Sequence, residues 1–275
     1  MFLMIWRCAM SDIIRSDTDR EFVRLERSGW VATITLSRPP VNALNRQMVS
    51  ELSSALTELA ADDDASVAII TSDLDHFSAG ADLRERAETA KEEVADAVAA
   101  ISAMVTQIAN LPQPTIASIY GAAVGGGAEI ALACDLRIMA ENGKLGLKET
   151  SLGIIPGAGG TQRLARLIGP SRAKSLIYSA ELMEAPLCLA TGAVNMVVPN
   201  NMLRDSAIAW AEAFAKNAPL ALRAAKQAIN GGLGKSMEEG LQAERDAYAA
   251  LIDTADRDEG IKAFLEKRDP QWRGE

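Results

Sequence analysis

The sequence is poor in the side chains that build many enzyme sites. Its 275 residues include one histidine, His76, and three cysteines, Cys8, Cys134 and Cys188, with no Cys-x-x-Cys pair. A structural zinc site needs a cluster of such ligands, and a disulfide scaffold needs an even, regularly spaced set of cysteines. The sequence predicts neither, and an odd, scattered cysteine count is typical of a reducing compartment.

Long apolar runs and an excess of positive charge are missing too. No stretch approaches the run of about 18 apolar residues that indicates a membrane span. The net charge of −9 and the pI of about 4.9 argue against a nucleic-acid partner, because such binding neutralises phosphates with Lys and Arg. The apolar start is too brief for a signal peptide and lacks a cleavage pattern, so we expect residues 1–20 to be an unstructured extension.

Several common catalytic loops are also absent. The glycine clusters do not match Gly-x-Gly-x-x-Gly, and there is no Gly-x-x-x-x-Gly-Lys-Ser/Thr, so no nucleotide-phosphate loop is predicted. There is no Gly-x-Ser-x-Gly elbow, and a Ser-His-Asp mechanism would depend on His76 alone. A conventional hydrolase triad is therefore disfavoured.

Strand and helix patterns alternate up to about residue 200, which predicts an α/β architecture. We predict a hairpin over 22–27 and 30–36, a helix from the cap Asn45 to about residue 60, strands over 67–71 and 115–119, and helices over 91–110 and 129–134. Beyond residue 200 the pattern predicts only helices, over 203–216, 219–230, 236–254 and 257–267. Alone these would form a thin core, so we expect them to pack on a neighbouring region or another subunit.

Two glutamates accompany glycine-rich segments. Glu129 belongs to Gly-Ala-Ala-Val-Gly-Gly-Gly-Ala-Glu-Ile over 121–130, and Glu149 precedes Pro-Gly-Ala-Gly-Gly over 156–160. Glycine lets backbone amides approach a ligand, and amides at a helix start attract negative charge. Each feature also has a plain explanation: close packing for the glycines, the positive helix end for Glu129, a solvated loop for Glu149. Together, two carboxylates near two amides suit proton transfer beside an enolate.

The chain resembles the enoyl-CoA hydratase/isomerase, or crotonase, family over nearly its whole length. The matching pieces, in order, are Arg-Pro-Pro-Val-Asn-Ala-Leu over 38–44, Phe-Ser-Ala-Gly-Ala-Asp over 77–82, the 125–129 block, Ile-Pro-Gly-Ala-Gly-Gly-Thr-Gln-Arg over 155–163, and Glu-Gly with Phe-Leu-Glu-Lys-Arg over 259–268. Residues 81–87 and 266–270 make it most similar to the branch that contains methylglutaconyl-CoA hydratase.

This resemblance implies a crotonase-type α/β fold. The ββα spiral of the catalytic core would span 21–200, and a helical oligomerisation region over 201–275 would make the protein a homotrimer or a dimer of trimers. It also implies that the amides of Ala81 and Gly126 form an oxyanion hole for the thioester carbonyl, and that Glu129 and Glu149 are the catalytic pair. We expect the protein in the cytoplasm if its source is bacterial and in the mitochondrial matrix if it is eukaryotic.

The resemblance further implies how an acyl-CoA substrate would bind. Coenzyme A would pass Ala79 and Leu83, with Arg84 near its phosphates. Phe264 and Lys267 match C-terminal residues that reach coenzyme A, often from a neighbouring subunit. No cofactor or metal is required, because the substrate itself carries coenzyme A.

The resemblance leaves three functions to weigh. A hydratase would add water to a 2-enoyl-CoA, with Glu129 accepting a proton from water and Glu149 delivering one to C2. The second possibility is another acyl-CoA enzyme on the same scaffold, chiefly a double-bond isomerase. Isomerases typically need only the glutamate at position 149, so Glu129 favours hydration. A non-catalytic RNA-binding relative is disfavoured, because residues 45–60 lack a row of lysines and Asp-Asp-Asp follows at 62–64. Tyr120, where the family commonly has Asn or Asp, and Ala193, where Leu is usual, depart from the pattern.

Overall fold

The computed structural model describes residues 14–15 and 19–275, where strands and helices alternate as far as residue 198. The strands are β1 Ile14–Arg15, β2 Val23–Ser28, β3 Val31–Leu36, β4 Ala43–Leu44, β5 Val67–Ser72, β6 Gly80–Ala81, β7 Thr115–Ile119, β8 Ala122–Val124, β9 Leu136–Ala140, β10 Lys144–Gly146, β11 Met183–Glu184 and β12 Met196–Val198. The helices are α1 Arg46–Ala60, α2 Leu83–Glu88, α3 Val94–Asn110, α4 Gly126–Ala133, α5 Gly160–Ile168, α6 Pro170–Ser179, α7 Ala185–Thr191, α8 Leu203–Ala215, α9 Pro219–Gly232, α10 Met237–Ala249 and α11 Ala255–Glu266.

Seven strands form the main sheet in the order β1-β2-β3-β5-β7-β9-β12. The β1–β2 and β2–β3 pairings are antiparallel, and a tight turn at Gly29, with φ of +56°, joins β2 to β3. The remaining pairings are parallel, because longer crossovers return the chain to the same edge. Parallel strands are normally covered on both faces, and every residue of β7 is buried.

Helices cover both faces of this sheet. On one face α1, α3 and α4 enclose the larger core, in which Met48, Leu52 and Leu56 of α1 are inaccessible to solvent or nearly so. On the other face α8 places Ala207 and Ala211 against β3, β5, β7 and β9. The first helix of the region 201–275 therefore packs on the strand-containing part of the chain.

Two smaller sheets carry the glycine-rich segments. β8 pairs in parallel with β10, β10 pairs antiparallel with β11, and β4 pairs in parallel with β6. A bridge between Ser78 and Ala123 joins the two small sheets. Segments around residues 42–44, 78–82, 122–126 and 144–149 consequently lie side by side, and this arrangement places the candidate site.

The predicted elements are close to those observed. Asn45 caps α1 by accepting the amide of Met48 at 2.9 Å, and each of the last four helices overlaps its predicted range. The helix predicted over 129–134 starts earlier, at Gly126, and the one predicted over 236–254 ends at Ala249, because Thr254 already caps α11. The prediction for residues 1–20 mostly lies outside the described residues, although Ile14–Arg15 pairs with β2.

Candidate active site

Buried polar side chains hold the segments of the site in register. Asn42, which is inaccessible to solvent, accepts the amide of Arg38 at 2.7 Å and donates to the Ser72 hydroxyl and to the carbonyls of His76 and Phe77. The Ser78 hydroxyl donates to the Asn42 carbonyl at 2.7 Å and accepts the amide of Gly80. Buried polar groups need such partners, so these bonds fix where residues 78–82 can lie.

Two glycines let segments 78–82 and 124–127 touch. A side-chain carbon on Gly80, whose φ is +84°, would lie 2.6 Å from the carbonyl oxygen of Val124 and 2.9 Å from the nitrogen of Gly126. A carbon on Gly127 would lie 2.4 Å from the carbonyl oxygen of Ser78. Only glycine fits at both positions, because any other residue would push the two backbones apart.

This contact brings together the amides of Ala81 and Gly126. Gly126 is the first residue of α4, so its amide has no partner within the helix, and in the described part of the chain it has no backbone partner elsewhere. The amide of Asp82 donates to Leu44, so the amide of Ala81, one residue earlier in an extended segment, points away from β4. A carbon added at Gly126 would lie 3.6 Å from the Ala81 nitrogen.

Glu129 is 3% exposed on the first turn of α4. One carboxylate oxygen, Oε1, accepts the amides of Ala158 at 2.7 Å and Gly160 at 2.9 Å. Burial raises the pKa of Glu129 and the nearby charge of Glu149 raises it further, while the two amides oppose the rise because they stabilise the ionised form. Glu129 is thus a buried carboxylate whose ionised form has dedicated donors.

Glu149 begins a single helical turn, Glu149–Leu152, and is half-buried. Its Oε2 atom is buried without a hydrogen-bond partner, and a carbon added at Gly125 would lie 3.1 Å from Oε1. Burial raises the pKa of Glu149, because nothing solvates the charge on Oε2. The environment of Glu149 therefore favours the protonated acid and, unlike that of Glu129, leaves one carboxylate oxygen without a donor.

Two arginines that the sequence did not single out face this pair. The Arg86 side chain of α2 acts on Glu149 as a nearby positive charge that opposes the rise of its pKa. Arg163 of α5 donates to the Ala158 carbonyl at 2.8 Å, beside the amide bound to Glu129, and its charge opposes the rise of the Glu129 pKa. Both side chains are half-buried. The Gly-rich stretch 156–160 was visible in the sequence, but nothing linked it to Glu129.

An ion pair anchors the segment that leads into α2. Asp82 caps α2 by accepting the amides of Arg84 and Glu85, and its carboxylate meets the Arg38 guanidinium at 2.8 Å. Partial burial opposes ionisation, but the hydrogen bonds from the Glu85 amide, the Arg38 side chain and the Arg84 amide hold the pKa of Asp82 below its ordinary value. Asp82 is therefore a positioning group beside Ala81.

The residues expected to contact coenzyme A fall into two places. Ala79, Leu83 and Arg84 are exposed in the segment 79–84, which also carries the amide of Ala81. Phe264 and Lys267 are exposed at the end of α11. In the described part of the chain, no hydrogen bond or ion pair joins α11 to the glycine segments.

His76, Cys134 and Cys188 form no hydrogen bond with either glutamate. The Nδ1 atom of His76 accepts the amide of Ala122 at 3.2 Å, which ties down the loop before β8. Cys134 and Cys188 are unpaired and buried, and burial raises the pKa of each thiol to about 12. Among the described residues there is no group of three or more His, Cys, Asp and Glu placed to hold a metal ion, and no helix suited to crossing a membrane.

The two departures from the family pattern also lie outside the site. Tyr120 is partly buried and packs against the apolar cluster under α8. Ala193 is fully buried, and its carbonyl oxygen accepts Nε of Arg137 at 2.9 Å. Both are therefore packing residues here.

The arrangement can support acid–base chemistry beside a carbonyl oxygen. Two amides facing one point would stabilise negative charge that develops on an oxygen, at about 3–4 kcal/mol for each donor. A carboxylate with amide donors can accept a proton, and a second carboxyl with a raised pKa can donate one.

Comparisons with known proteins point to one family. The family model for enoyl-CoA hydratase/isomerase matches residues 26–275. Human mitochondrial methylglutaconyl-CoA hydratase is 46% identical over 239 residues, which are 85% of this chain and 70% of the human protein. The 2,3-dehydroadipyl-CoA hydratase of Escherichia coli is 39% identical over 251 residues, covering 91% of this chain and 98% of the relative.

A solved structure supports the same family. The crystal structure of an enoyl-CoA hydratase from Bacillus anthracis superimposes with a TM-score of 0.90 at 45% identity, and the match covers 93% of this chain and 100% of that one. This likeness confirms the fold class predicted from the sequence.

Proposed function

Since the chain belongs to the enoyl-CoA hydratase/isomerase family, we propose that it adds water across the C2=C3 bond of a 2-enoyl-CoA to give a 3-hydroxyacyl-CoA. One observation carries this proposal: two carboxylates with raised pKa values lie beside the amides of Ala81 and Gly126. Hydration needs one group to activate water and one to protonate carbon, and this pair supplies both.

The thioester carbonyl would bind between the two amides. As the water oxygen attacks C3, the π electrons of C2=C3 move towards the thioester and negative charge develops on its oxygen. The amide of Gly126 adds the positive end of α4 to its own hydrogen bond, so it favours this charge more than the neutral ground state. The two amides therefore lower the barrier to the attack of water on C3.

The environments of the glutamates support separate roles. Glu129 accepts two amides and would take a proton from water while the oxygen bonds to C3. Glu149, with its unpartnered Oε2, would carry the proton that C2 receives as the enolate collapses. One proton shared by the pair then returns from Glu129 to Glu149 through solvent, so that each turnover consumes one water molecule.

Coenzyme A would extend from the amides past Ala79, Leu83 and Arg84, where the exposed guanidinium suits a phosphate. Phe264 and Lys267 would serve the site of another subunit, since no polar contact joins α11 to the site of its own chain in the described residues. We accordingly propose a homotrimer or a dimer of trimers. The proposed chemistry uses no metal or additional cofactor.

The first test is activity of the purified protein with crotonyl-CoA, followed through the loss of the conjugated enoyl absorbance. We expect Glu149→Gln and Glu129→Gln each to lower kcat by about 10²–10⁴-fold, as is usual for removal of a general acid or base. Full activity of either variant would exclude the assigned role. A 3-enoyl-CoA supplied to the same enzyme tests the isomerase alternative, which requires Glu149 but not Glu129.

A further inference from the structure

The two amides that bind Glu129 come from one tight turn, residues 158–160. The amide of Gly160 opens α5, and a single peptide group, the one that joins Ala158 to Gly159, separates it from the peptide that carries the amide of Ala158. Peptide groups are planar, and only two soft dihedral angles per residue connect them. A displacement of the middle peptide would therefore move both amides away from the Glu129 carboxylate.

Arg163 holds this middle peptide in place. Its Nη1 atom donates to the Ala158 carbonyl at 2.8 Å. The guanidinium lies against Gly159, because a side-chain carbon on that glycine would be only 2.1 Å from Nη1. Gly159 also has φ of +97°, a conformation that other residues rarely adopt. The turn thus leaves space for the guanidinium at the point where the carbonyl is bound.

The charge of Arg163 is directed to a carbonyl rather than to a carboxylate. Its side chain is half-buried, and half-buried cations usually have an anionic partner. Within the part of the chain that the structure describes, no carboxylate forms an ion pair with it, and Glu129 is the carboxylate whose charge acts on it. Arg163 is therefore coupled to Glu129 in two ways, through the middle peptide and through its charge.

Few other charges act on Glu129. Glu149, on the single helical turn after β10, raises the pKa of Glu129, and Arg163, on α5, opposes that rise. The strands β6 and β8 also pack against α4, and they carry no titratable side chain. Asp96 is the titratable residue of α3, and it is exposed. The positive charge that favours ionised Glu129 thus comes from Arg163.

We propose that Arg163 is a positioning residue for the hydration, which holds the turn 158–160 against Glu129 and favours the ionised form of that carboxylate. The inference rests on the proposed function, because the ionised form matters for catalysis only if Glu129 accepts a proton from water. Arg163 acts through Glu129 and does not itself need to contact the substrate.

The first test is the pH dependence of kcat/KM for hydration of crotonyl-CoA, which reports groups of the free enzyme. Activity should fall at low pH as the pair Glu129 and Glu149 takes up a second proton. Arg163→Met removes a positive charge that disfavours this proton, so the acid limb should move to higher pH. Arg163→Lys keeps a positive charge and should leave the limb nearer its original position. If Arg163→Met does not fold, Arg163→Gln, which retains a donor for the carbonyl, replaces it.

The second test asks whether Arg163 acts through Glu129. At pH 7, Arg163→Met alone should lower kcat by about 10- to 100-fold, the range expected when a catalytic group is misplaced by about 1 Å. In the Glu129→Gln background no carboxylate remains to be positioned or ionised. There Arg163→Met should lower kcat by no more than about twofold further.

Arg166→Met is the matched control for both tests. Arg166 lies on the same helix, but it is exposed and bonds only to Gln162. Its replacement removes the same charge without touching the turn 158–160. The acid limb should stay in place, and kcat should change by no more than about twofold.

The outcomes distinguish this inference from the proposed function. An acid limb that does not move in Arg163→Met, or an equal fold-loss of kcat with and without Glu129, would overturn the inference while hydration stands. If the unaltered protein does not hydrate crotonyl-CoA, the proposed function fails and the inference fails with it. A limb at higher pH in Arg163→Met but not in Arg166→Met, together with the small further loss in Glu129→Gln, supports the inference.

Discussion

The buried carboxyl of Glu149 suits proton transfer but lowers the stability of the fold when it is ionised. Burial without a partner for Oε2 raises its pKa, so the folded protein holds this proton more tightly than the unfolded chain does. Stability is therefore lost as pH rises from the unfolded pKa through the folded one, because ionisation is easier in the unfolded state. Removing the charge should relieve this cost above the folded pKa.

We accordingly expect Glu149→Gln to melt at a higher temperature than the unaltered protein near pH 8. The difference in Tm should shrink as pH falls towards about 4, where the unfolded glutamate also becomes protonated. Thermal unfolding followed by circular dichroism across this range measures it. A difference in Tm that does not vary with pH would contradict the assigned burial cost.

At this scale the sequence revealed the glutamates but not their partners. Glu129 stood out because it follows a glycine-rich segment at a predicted helix start. Its donors, the amides of Ala158 and Gly160, are separated from it by 29 and 31 residues, and only the fold brings them close. Arg86 and Arg163 were not singled out in the sequence for the same reason. The assigned roles of Glu129, Glu149, Ala81 and Gly126 stay predictions.

Among the elements, β6 and α4 depend on direct backbone contact. Gly80→Ala would place its new carbon 2.6 Å from the Val124 carbonyl and 2.9 Å from the Gly126 amide, so the two proposed oxyanion donors must separate. We expect kcat to fall at least as much as for loss of one donor, about 10²–10³-fold.

Gly192→Ala is a suitable control for Gly80→Ala. Gly192 has φ of +78°, similar to the +84° of Gly80, but a carbon added there meets no atom within 4 Å. Both variants carry the backbone strain of about 1–2 kcal/mol for an L-residue in this conformation. Only Gly80→Ala should lose activity, and equal loss in both would assign the effect to strain alone.

The other end of α4 is held by Arg137, which is 4% exposed. Its guanidinium donates to the carbonyls of Ala131, Cys134, Asp135 and Ala193, so it satisfies groups that the helix end leaves open. Burial lowers its pKa, because the charge is removed from water, and the nearby negative charge of Asp135 opposes this shift.

We expect Arg137→Met to lower the free energy of unfolding by about 2–4 kcal/mol, since several buried carbonyls lose a charged donor. Urea denaturation measures this loss. Arg166→Met is the control, because Arg166 is exposed and bonds only within its own helix, to Gln162. A loss no larger than that of Arg166→Met would show that water replaces the guanidinium at little cost.

Helix and strand positions were largely predictable because local patterns determine them. Asn45, the stripe of apolar residues in α1 and the breaks near Pro219 and Gly231 were read from neighbouring residues. The start of α4 at Gly126 was not predicted, because glycines are poor helix formers. Tertiary contacts with Ser78 and Gly80 overcome that preference in the folded chain.

Across the whole molecule, the C-terminal helices expose unusually large apolar side chains. Leu233, Met237 and Phe264 are 69%, 79% and 82% exposed. Such surfaces mark contact regions, so we expect a native mass three or six times that of the 29.3 kDa chain. Sedimentation equilibrium measures it, and a monomeric mass at micromolar concentration would contradict the proposed assembly.

The double variant Leu233→Lys, Met237→Lys should shift the mass towards the monomer, since assembly would bury two charges. Tyr178→Lys provides a control, because Tyr178 is 73% exposed but lies on α6, outside the C-terminal helices. That variant should keep at least the trimeric mass. The family and the fold class were predicted from ordered motifs and are confirmed, whereas subunit contacts leave no comparable motif in one sequence.

The contact between Gly80 and Gly126 also limits how this scaffold can evolve. No single substitution at Gly80 or Gly127 leaves the two backbones in place, because each position meets main-chain atoms that no rotamer change can move. The two carboxylates differ, since each acts through its side chain rather than through the position of its main chain. A lineage could therefore acquire a new reaction through these two positions while inheriting the same site for the carbonyl oxygen.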